Sequence, residues 1–277
     1  MVLSRRLIKV WGESVEMLPK DKYNRMSMTM KKNIAASAVM LAGILAVQQA
    51  NAAIALDRTR AVFNGEDRSM SLSISNQNKE LPYLAQAWIE DEHGNKINNP
   101  LTALPPLQRV EPGAKSQVKL QVTQGINMLS QDKETLFYFN LREIPPKSNK
   151  PNTLQIALQT RIKLFYRPKA ITVGRTDHEN PYQEKLTMTR QGDHYVVNNP
   201  TPYYVTIASA SSSLNGAAVS GFNPMMIPPK GSAVLGGSAS AMGNSPVLIF
   251  INDFGGRPKL VFGCSGGTCT VKSSKAG

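Results

Sequence analysis

Beyond residue 52, apolar and polar residues alternate along most of the chain. Met70, Leu72 and Ile74 are separated by serines, 83–89 interleaves apolar with polar residues, and Val118, Leu120 and Val122 fall at every second position. The stretch Thr135–Ile144 is rich in aromatic and β-branched residues. Alternation of this kind marks strands with one buried face. Turn-forming breaks separate the runs, at Asn64-Gly65, His93-Gly94-Asn95, Asn99-Pro100 and Pro112-Gly113. The pattern recurs more weakly at 186–189, 195–197, 203–208, 233–235, 247–251 and 260–262, and small residues dominate 209–245. No convincing helical period is present. About seven strands in ~115 residues fit an immunoglobulin-like sandwich. The expected fold is all-β, with two such sandwiches meeting near 169–175.

The stretch 153–167 stands apart. Leu154, Ile156, Leu158, Ile162 and Leu164 fall on one face, and Gln155, Ala157, Gln159, Arg161 and Lys163 on the other. Its fifteen residues far exceed the five or six of a usual strand. A strand that long can outrun its own sheet, presenting large aliphatics beside unpaired backbone groups. Residues 154–158 contain no charge, proline or glycine. Proteins normally blunt such an edge, because it invites aggregation. The pattern alone leaves two readings, an ordinary core strand or a docking strand for another chain.

The N-terminal region predicts export. Lys31 and Lys32 precede an uncharged stretch at 33–52, whose apolar centre at 34–47 is interrupted only by Ser37 and Gly43. Ala50-Asn51-Ala52 closes it with small residues at −3 and −1, the pattern of a secretory signal. A core of about 14 residues is short of the roughly 20 that span a bilayer. The expected organisation is an upstream extension over 1–29, a signal over 30–52 cleaved after Ala52, a first sandwich domain over 53–170 and a second over 171–277. The full chain carries +13, and residues 1–52 hold eight Lys/Arg against three Asp/Glu, so about +8 remains after the leader. That surplus suits an anionic partner. No run of five or more Lys/Arg exists, so nucleic-acid binding has no support beyond basicity.

Composition narrows the chemistry further. With 41% hydrophobic and 18% charged residues, the chain is too apolar to be disordered. Two cysteines cannot make a four-cysteine zinc site, and three histidines (His93, His178, His194) leave little for metal or acid–base work. Gly263-Cys264-Ser265-Gly266-Gly267 matches the nucleophile pattern Gly-X-Ser-X-Gly, but no histidine follows Ser265, as a hydrolase of that type needs. In an exported chain Cys264 and Cys269 are expected to form a disulfide across the last hairpin. A reactive thiol pair would more usually be spaced Cys-X-X-Cys.

Several stretches carry a family resemblance. They are Leu56-Asp57-Arg58-Thr59-Arg60, 81–88 (Leu-Pro-Tyr-Leu-Ala-Gln-Ala-Trp), 137–146, 154–168, 199–205 and 251–258 (Ile-Asn-Asp-Phe-Gly-Gly-Arg-Pro). The chain resembles the periplasmic pilus-assembly chaperones over nearly its whole length beyond the leader. The resemblance implies two immunoglobulin-like domains arranged as an L with an interdomain cleft. It implies a periplasmic protein, not an enzyme, that uses neither cofactor nor metal. It implies pilin subunits and an outer-membrane usher as partners, and leaves self-association of the free protein open. Leu154, Ile156 and Leu158 match the family's alternating plug positions, which complete a subunit's unfinished sandwich. Arg60 and Lys163 match two cleft cations that grip the subunit's terminal carboxylate. Glu134, Arg167 and Asp253 match a network that fixes the angle between domains. A secreted two-domain adhesin or ligand-binding sandwich would account for export, strands and charge, but not for the aliphatic run coupled to two cations.

Overall fold

The computed structural model describes residues 9–10, 13–14, 52–174 and 181–277. The export-signal segment apart from Ala52, the boundary residue Arg175 and His178 lie outside them. Within the unit Met1–Asn51, β1 (Lys9–Val10) and β2 (Glu13–Ser14) form a short antiparallel pair.

The unit Ala52–Gly277 holds two hydrophobic cores. Around the first lie β3 (Ile54–Leu56), β4 (Arg60–Asn64), β5 (Ser69–Asn76), β6 (Tyr83–Glu90), β7 (Lys96–Ile97), β8 (Leu101–Leu104), β9 (Leu107–Val110), β10 (Lys115–Val122), β11 (Thr135–Ile144) and β12 (Gln159–Arg167). One sheet runs β3-β5-β10-β8, the other β4-β12-β11-β6-β7, with β9 also pairing β6. The alternation seen in the sequence sets the faces. Leu72, Ile74, Val118 and Leu120 point inward from one sheet; Ala85, Ala87, Ile89, Phe139, Leu141, Ile162 and Leu164 meet them from the other.

Ten strands appear where about seven were expected, because two change sheets midway and the two-residue β7 adds a short strand beside β6. β3 pairs with β5, and β4 then crosses to lie parallel to β12. β8 pairs with β10, and β9 crosses to β6 after Pro105-Pro106, which can donate no ladder hydrogen bond. Such switches form the corners of a sandwich.

Around the second core lie β13 (Thr187–Gln191), β14 (His194–Asn199), β15 (Val205–Ser211), β16 (Met225–Ile227), β17 (Gly231–Val234), β18 (Val247–Ile251), β19 (Lys259–Ser265) and β20 (Thr268–Lys275). They form one path, β16-β15-β18-β19-β20-β13-β14-β17, whose two ends meet across a short turn at 228–230. The path thus wraps a core that includes Tyr195, Ile207, Phe250, Leu260 and Phe262. β16 was missed because the Gly- and Ser-rich stretch around it shows no alternation. The same stretch holds a one-turn helix, Ala239–Met242, whose Ser238 Oγ accepts from Ala241 N at 3.0 Å.

The expected fifteen-residue strand is corrected to nine, Gln159–Arg167. Among the described residues, the preceding 153–158 pair with no strand. The β11–β12 ladder continues through Glu143 N donating to Leu158 O at 3.0 Å. The next positions on β11's side are Ile144, Pro145 and Pro146, and neither proline has an N–H to give.

The final hairpin turns on Gly266 and Gly267, with φ of 58° and 82°, as a two-residue turn with both central residues left-handed requires. Cys264 and Cys269 face each other across it and are disulfide-bonded. Ser265 therefore ends a β-hairpin strand, not a strand-to-helix elbow. Replacing both cysteines by alanine is expected to lower stability by about 2 kcal/mol through loop entropy, read as a lower urea midpoint with an unchanged m-value. An unshifted midpoint would show that the hairpin holds its register without the bond.

Candidate functional site

β12 is paired on one side along its length but on the other only in part. Its neighbour β4 begins at Arg60, opposite Lys163, and continues to the pair Asn64–Arg167. Among the described residues, 159–162 have no strand on that side, and 153–158 belong to no sheet. Leu154 is 84% exposed, Ile156 65% and Leu158 41%. Ile162 and Leu164 are buried in the first core. The aliphatic run therefore divides at Gln159: the earlier residues show large apolar side chains to solvent, and the later ones hold the sandwich.

Arg60 and Lys163 are placed side by side by the parallel register of β4 and β12. Arg60 is only 8% exposed, and Lys163 is half-buried. Arg60 Nη1 donates to Ile251 O at 3.0 Å, while its buried Nε has no hydrogen-bond partner among the described residues. Among those residues neither cation is ion-paired. Burial pushes the Arg60 guanidinium below its ordinary pKa, opposed by the charges of Asp253 and Glu134. Burial also lowers the Lys163 amine, and the neighbouring positive charge of Arg60 lowers it further. Two adjacent, partly desolvated cations without a counter-ion form a site that favours an anion, above all one able to accept hydrogen bonds from both. A recess of about 270 Å3 opens beside Arg60, lined among others by Arg58, Val62, Arg167 and Asp253.

Glu134, Arg167 and Asp253 lie together at the junction of the two cores. Arg167 Nε donates to Glu134 Oε1 at 2.9 Å and Nη1 to Asp253 Oδ2 at 2.8 Å. Its Nη2 lies 2.8 Å from Glu134 Oε1, an ion-pair contact without hydrogen-bond geometry. Glu134 Oε2 also accepts from Tyr204 N at 2.8 Å, and Glu134 N donates to Pro202 O at 2.9 Å. Lys230 pairs with Asp132 nearby, at a site open to solvent screening.

The arrangement includes residues that sequence reasoning missed. The Tyr203 ring centre lies 4.9 Å from the Arg167 guanidinium, and Tyr182 OH donates to Asp253 Oδ1 at 3.3 Å. Glu143, only 5% exposed, accepts from Ile54 N at 2.9 Å and Leu158 N at 3.4 Å, tying β3 to the point where β12 loses its partner. Its signal was legible: an acid follows Phe137, Phe139 and Leu141 on the inward phase of β11.

Comparison with known proteins identifies the family. Residues 53–172 match the family "Pili and flagellar-assembly chaperone, PapD N-terminal domain", and 181–262 match "Pili assembly chaperone PapD, C-terminal domain". The chain is 50% identical over 246 residues to the chaperone protein PapD of Escherichia coli, covering 88% of this chain and 99% of that one. It is 52% identical over 225 residues to the probable fimbrial chaperone YfcS of Escherichia coli (strain K12), covering 81% and 88%. Among solved structures, the SafB chaperone in complex with the Salmonella enterica SafA pilin covers 76% of this chain and 95% of its own, at TM-score 0.62 and 26% identity.

The buried network generates a pH dependence. Burial pushes the Glu134 carboxyl up to about 7, from an ordinary 4.5, against the pull of Arg167. A carboxyl that holds its proton more tightly when folded costs stability above its folded pKa, and the cost is relieved as pH falls from about 7 toward 4.5. Relative to a Glu134→Gln variant, the wild type is therefore expected to gain stability as pH drops from 7.5 to 5, by ~3 kcal/mol at most. Urea midpoints of both proteins across that window check the sign; parallel curves would exclude it.

Proposed function

The chain belongs to the pilus-assembly chaperone family, and we propose that it lends 154–162 to an unfinished subunit sandwich while Arg60 and Lys163 hold that subunit's terminal carboxylate. The observation that carries this reading is adjacency. The unpaired edge of β12 ends where β4 begins, and the two cations stand at that point. A strand occupying the free lane with its carboxyl end against Lys163 must run in the direction of β12, hence parallel to it. Such a strand would satisfy the orphan backbone groups of 159–162 and extend along 153–158. Leu154, Ile156 and Leu158 would enter its apolar groove as plugs, each contributing roughly 1.5–3 kcal/mol before ordering costs. The carboxylate clamp would fix register, because a one-residue slip turns the wrong face to the groove.

The partner is assigned as a pilin subunit, the kind of protein that the SafB chaperone holds. The carrier of the capped subunit would be an outer-membrane usher. We place the protein in the periplasm, which suits its disulfide. This function is binding and folding, with no bond made or broken, so no residue is assigned a catalytic part. Glu134, Arg167 and Asp253 are assigned a structural part, holding the second domain against the cleft.

Coexpression with a pilin subunit tests the reading. Ile156→Asp would set a charge against the apolar groove and is expected to abolish copurification. Arg60→Ala and Lys163→Ala are each expected to weaken retention about tenfold or more. All three variants should keep the wild-type circular dichroism spectrum. Full subunit retention by the Ile156→Asp protein would refute strand lending, and full retention by both cation variants would refute the clamp.

A further inference from the structure

The second domain reaches the cation site with residues 251–256, which hydrogen-bond the first domain at Ile251 and Asp253 and approach it closely at Gly255. Ile251, the last residue of β18, offers its carbonyl to Arg60 Nη1 at 3.0 Å. Asp253 takes Arg167 Nη1 at 2.8 Å. Gly255 lies so close to Thr59 that an added Cβ would stand 2.7 Å from Thr59 Oγ1, and its φ is 86°. The turn is internally braced as well: Asn252 Oδ1 accepts from Phe254 N at 3.1 Å and Gly256 N at 2.8 Å, and Gly255 N donates to Asn252 O at 3.0 Å. The hydrogen bond at 251 and the close approach at 255 thus bear on two adjacent residues, Arg60 and Thr59, at the start of β4.

The bond to Ile251 O decides which donors of Arg60 remain. With Nη1 held by that carbonyl and Nε buried, the Nη2 edge is what remains to meet an anion. A guanidinium on a flexible stem does not hold that edge in place unaided, and a fixed carbonyl does. We propose that the 252–256 turn positions Arg60 for its anion, and that Gly255 is the positioning residue that lets the turn approach Thr59 closely enough. The inference rests on the carboxylate clamp proposed above and names what orients it.

The test uses an acetylated, lysine-tagged peptide of alternating valine and threonine, as the free acid and as the C-terminal amide. Fluorescence anisotropy measures binding to the full chain. The wild type is expected to prefer the acid, and Arg60→Ala to lose that preference. Gly255→Ala is expected to bind the acid about tenfold more weakly while binding the amide as the wild type does. Adding Thr59→Ala, which removes the colliding hydroxyl, should restore part of the acid preference. Asn252→Ala, which unbraces the turn without a new clash, should give the same acid-selective loss and serves if Gly255→Ala does not fold. A wild type indifferent to the amide, or an Arg60→Ala protein that still prefers the acid, overturns the clamp itself. A preference lost in Arg60→Ala but intact in folded Gly255→Ala and in Asn252→Ala overturns the positioning role and leaves the clamp standing.

Discussion

The structure depends on where β12 runs out of partners. Pro145 and Pro146 end the ladder on one side, because neither carries an amide hydrogen, and β4 does not begin on the other until Arg60 meets Lys163. Residues 154–158 keep the alternation of a strand without a strand beside them, and 159–162 are paired on the β11 side alone among the described residues. Every other feature of the site follows from that offset. The exposed aliphatics lie where both sides are open, and the cations lie where the second side closes. An open, apolar edge is a hazard to its owner. Here local contacts limit it: Glu143 holds Leu158 N, Gln155 Nε2 donates to Pro146 O, and Lys147 and Lys150 lie in the connecting loop.

The two groups of charges in the molecule are handled in opposite ways. Arg167 is surrounded by partners, with carboxylates on two sides and an aromatic ring over it. Burying such a network does not by itself add stability, since desolvation offsets the attraction, but removing one member leaves a buried charge uncompensated. It holds geometry. Arg60 and Lys163 have the desolvation without the compensation, and both are pushed toward lower pKa for that reason. A site in that condition gains more from an arriving carboxylate than an exposed pair would, because little water remains to be displaced or to screen it.

Much of this was legible in the sequence, and the failures have physical causes. Period-two alternation found β5, β6, β10 and β11, whose faces divide cleanly between core and solvent. It missed β3 and β8 as separate elements because each is short and changes sheet at its end. It missed β16 because glycine and serine give no pattern to read. The stretch 153–167 was correctly singled out and wrongly bounded: alternation reports which way side chains would point, and cannot report whether a neighbour exists to pair with. The pairing of Cys264 with Cys269 was legible from spacing and compartment. The adjacency of Arg60 and Lys163 was not legible from pattern, since they are 103 positions apart and meet only through a parallel register. Family resemblance supplied it. Resemblance singled out the stretch 251–258, but nothing in the sequence pointed to the part of Ile251, whose contribution is a backbone carbonyl.

That carbonyl bears on why two domains are needed. A single sandwich with an interrupted edge strand could supply a row of aliphatics and unpaired amides. It could not readily keep a buried arginine in one orientation beside a half-buried lysine, since each repels the other and no carboxylate of the first domain pairs with either among the described residues. The second domain provides what the first lacks, a neutral acceptor on Arg60 Nη1 and a compensated anchor at Arg167, both from one turn. A neutral carbonyl is the suitable choice: a carboxylate in the position of Ile251 O would hold Arg60 equally well but would neutralise it, and the site would lose its attraction for an anion. The interface between the domains therefore orients the cation without satisfying its charge.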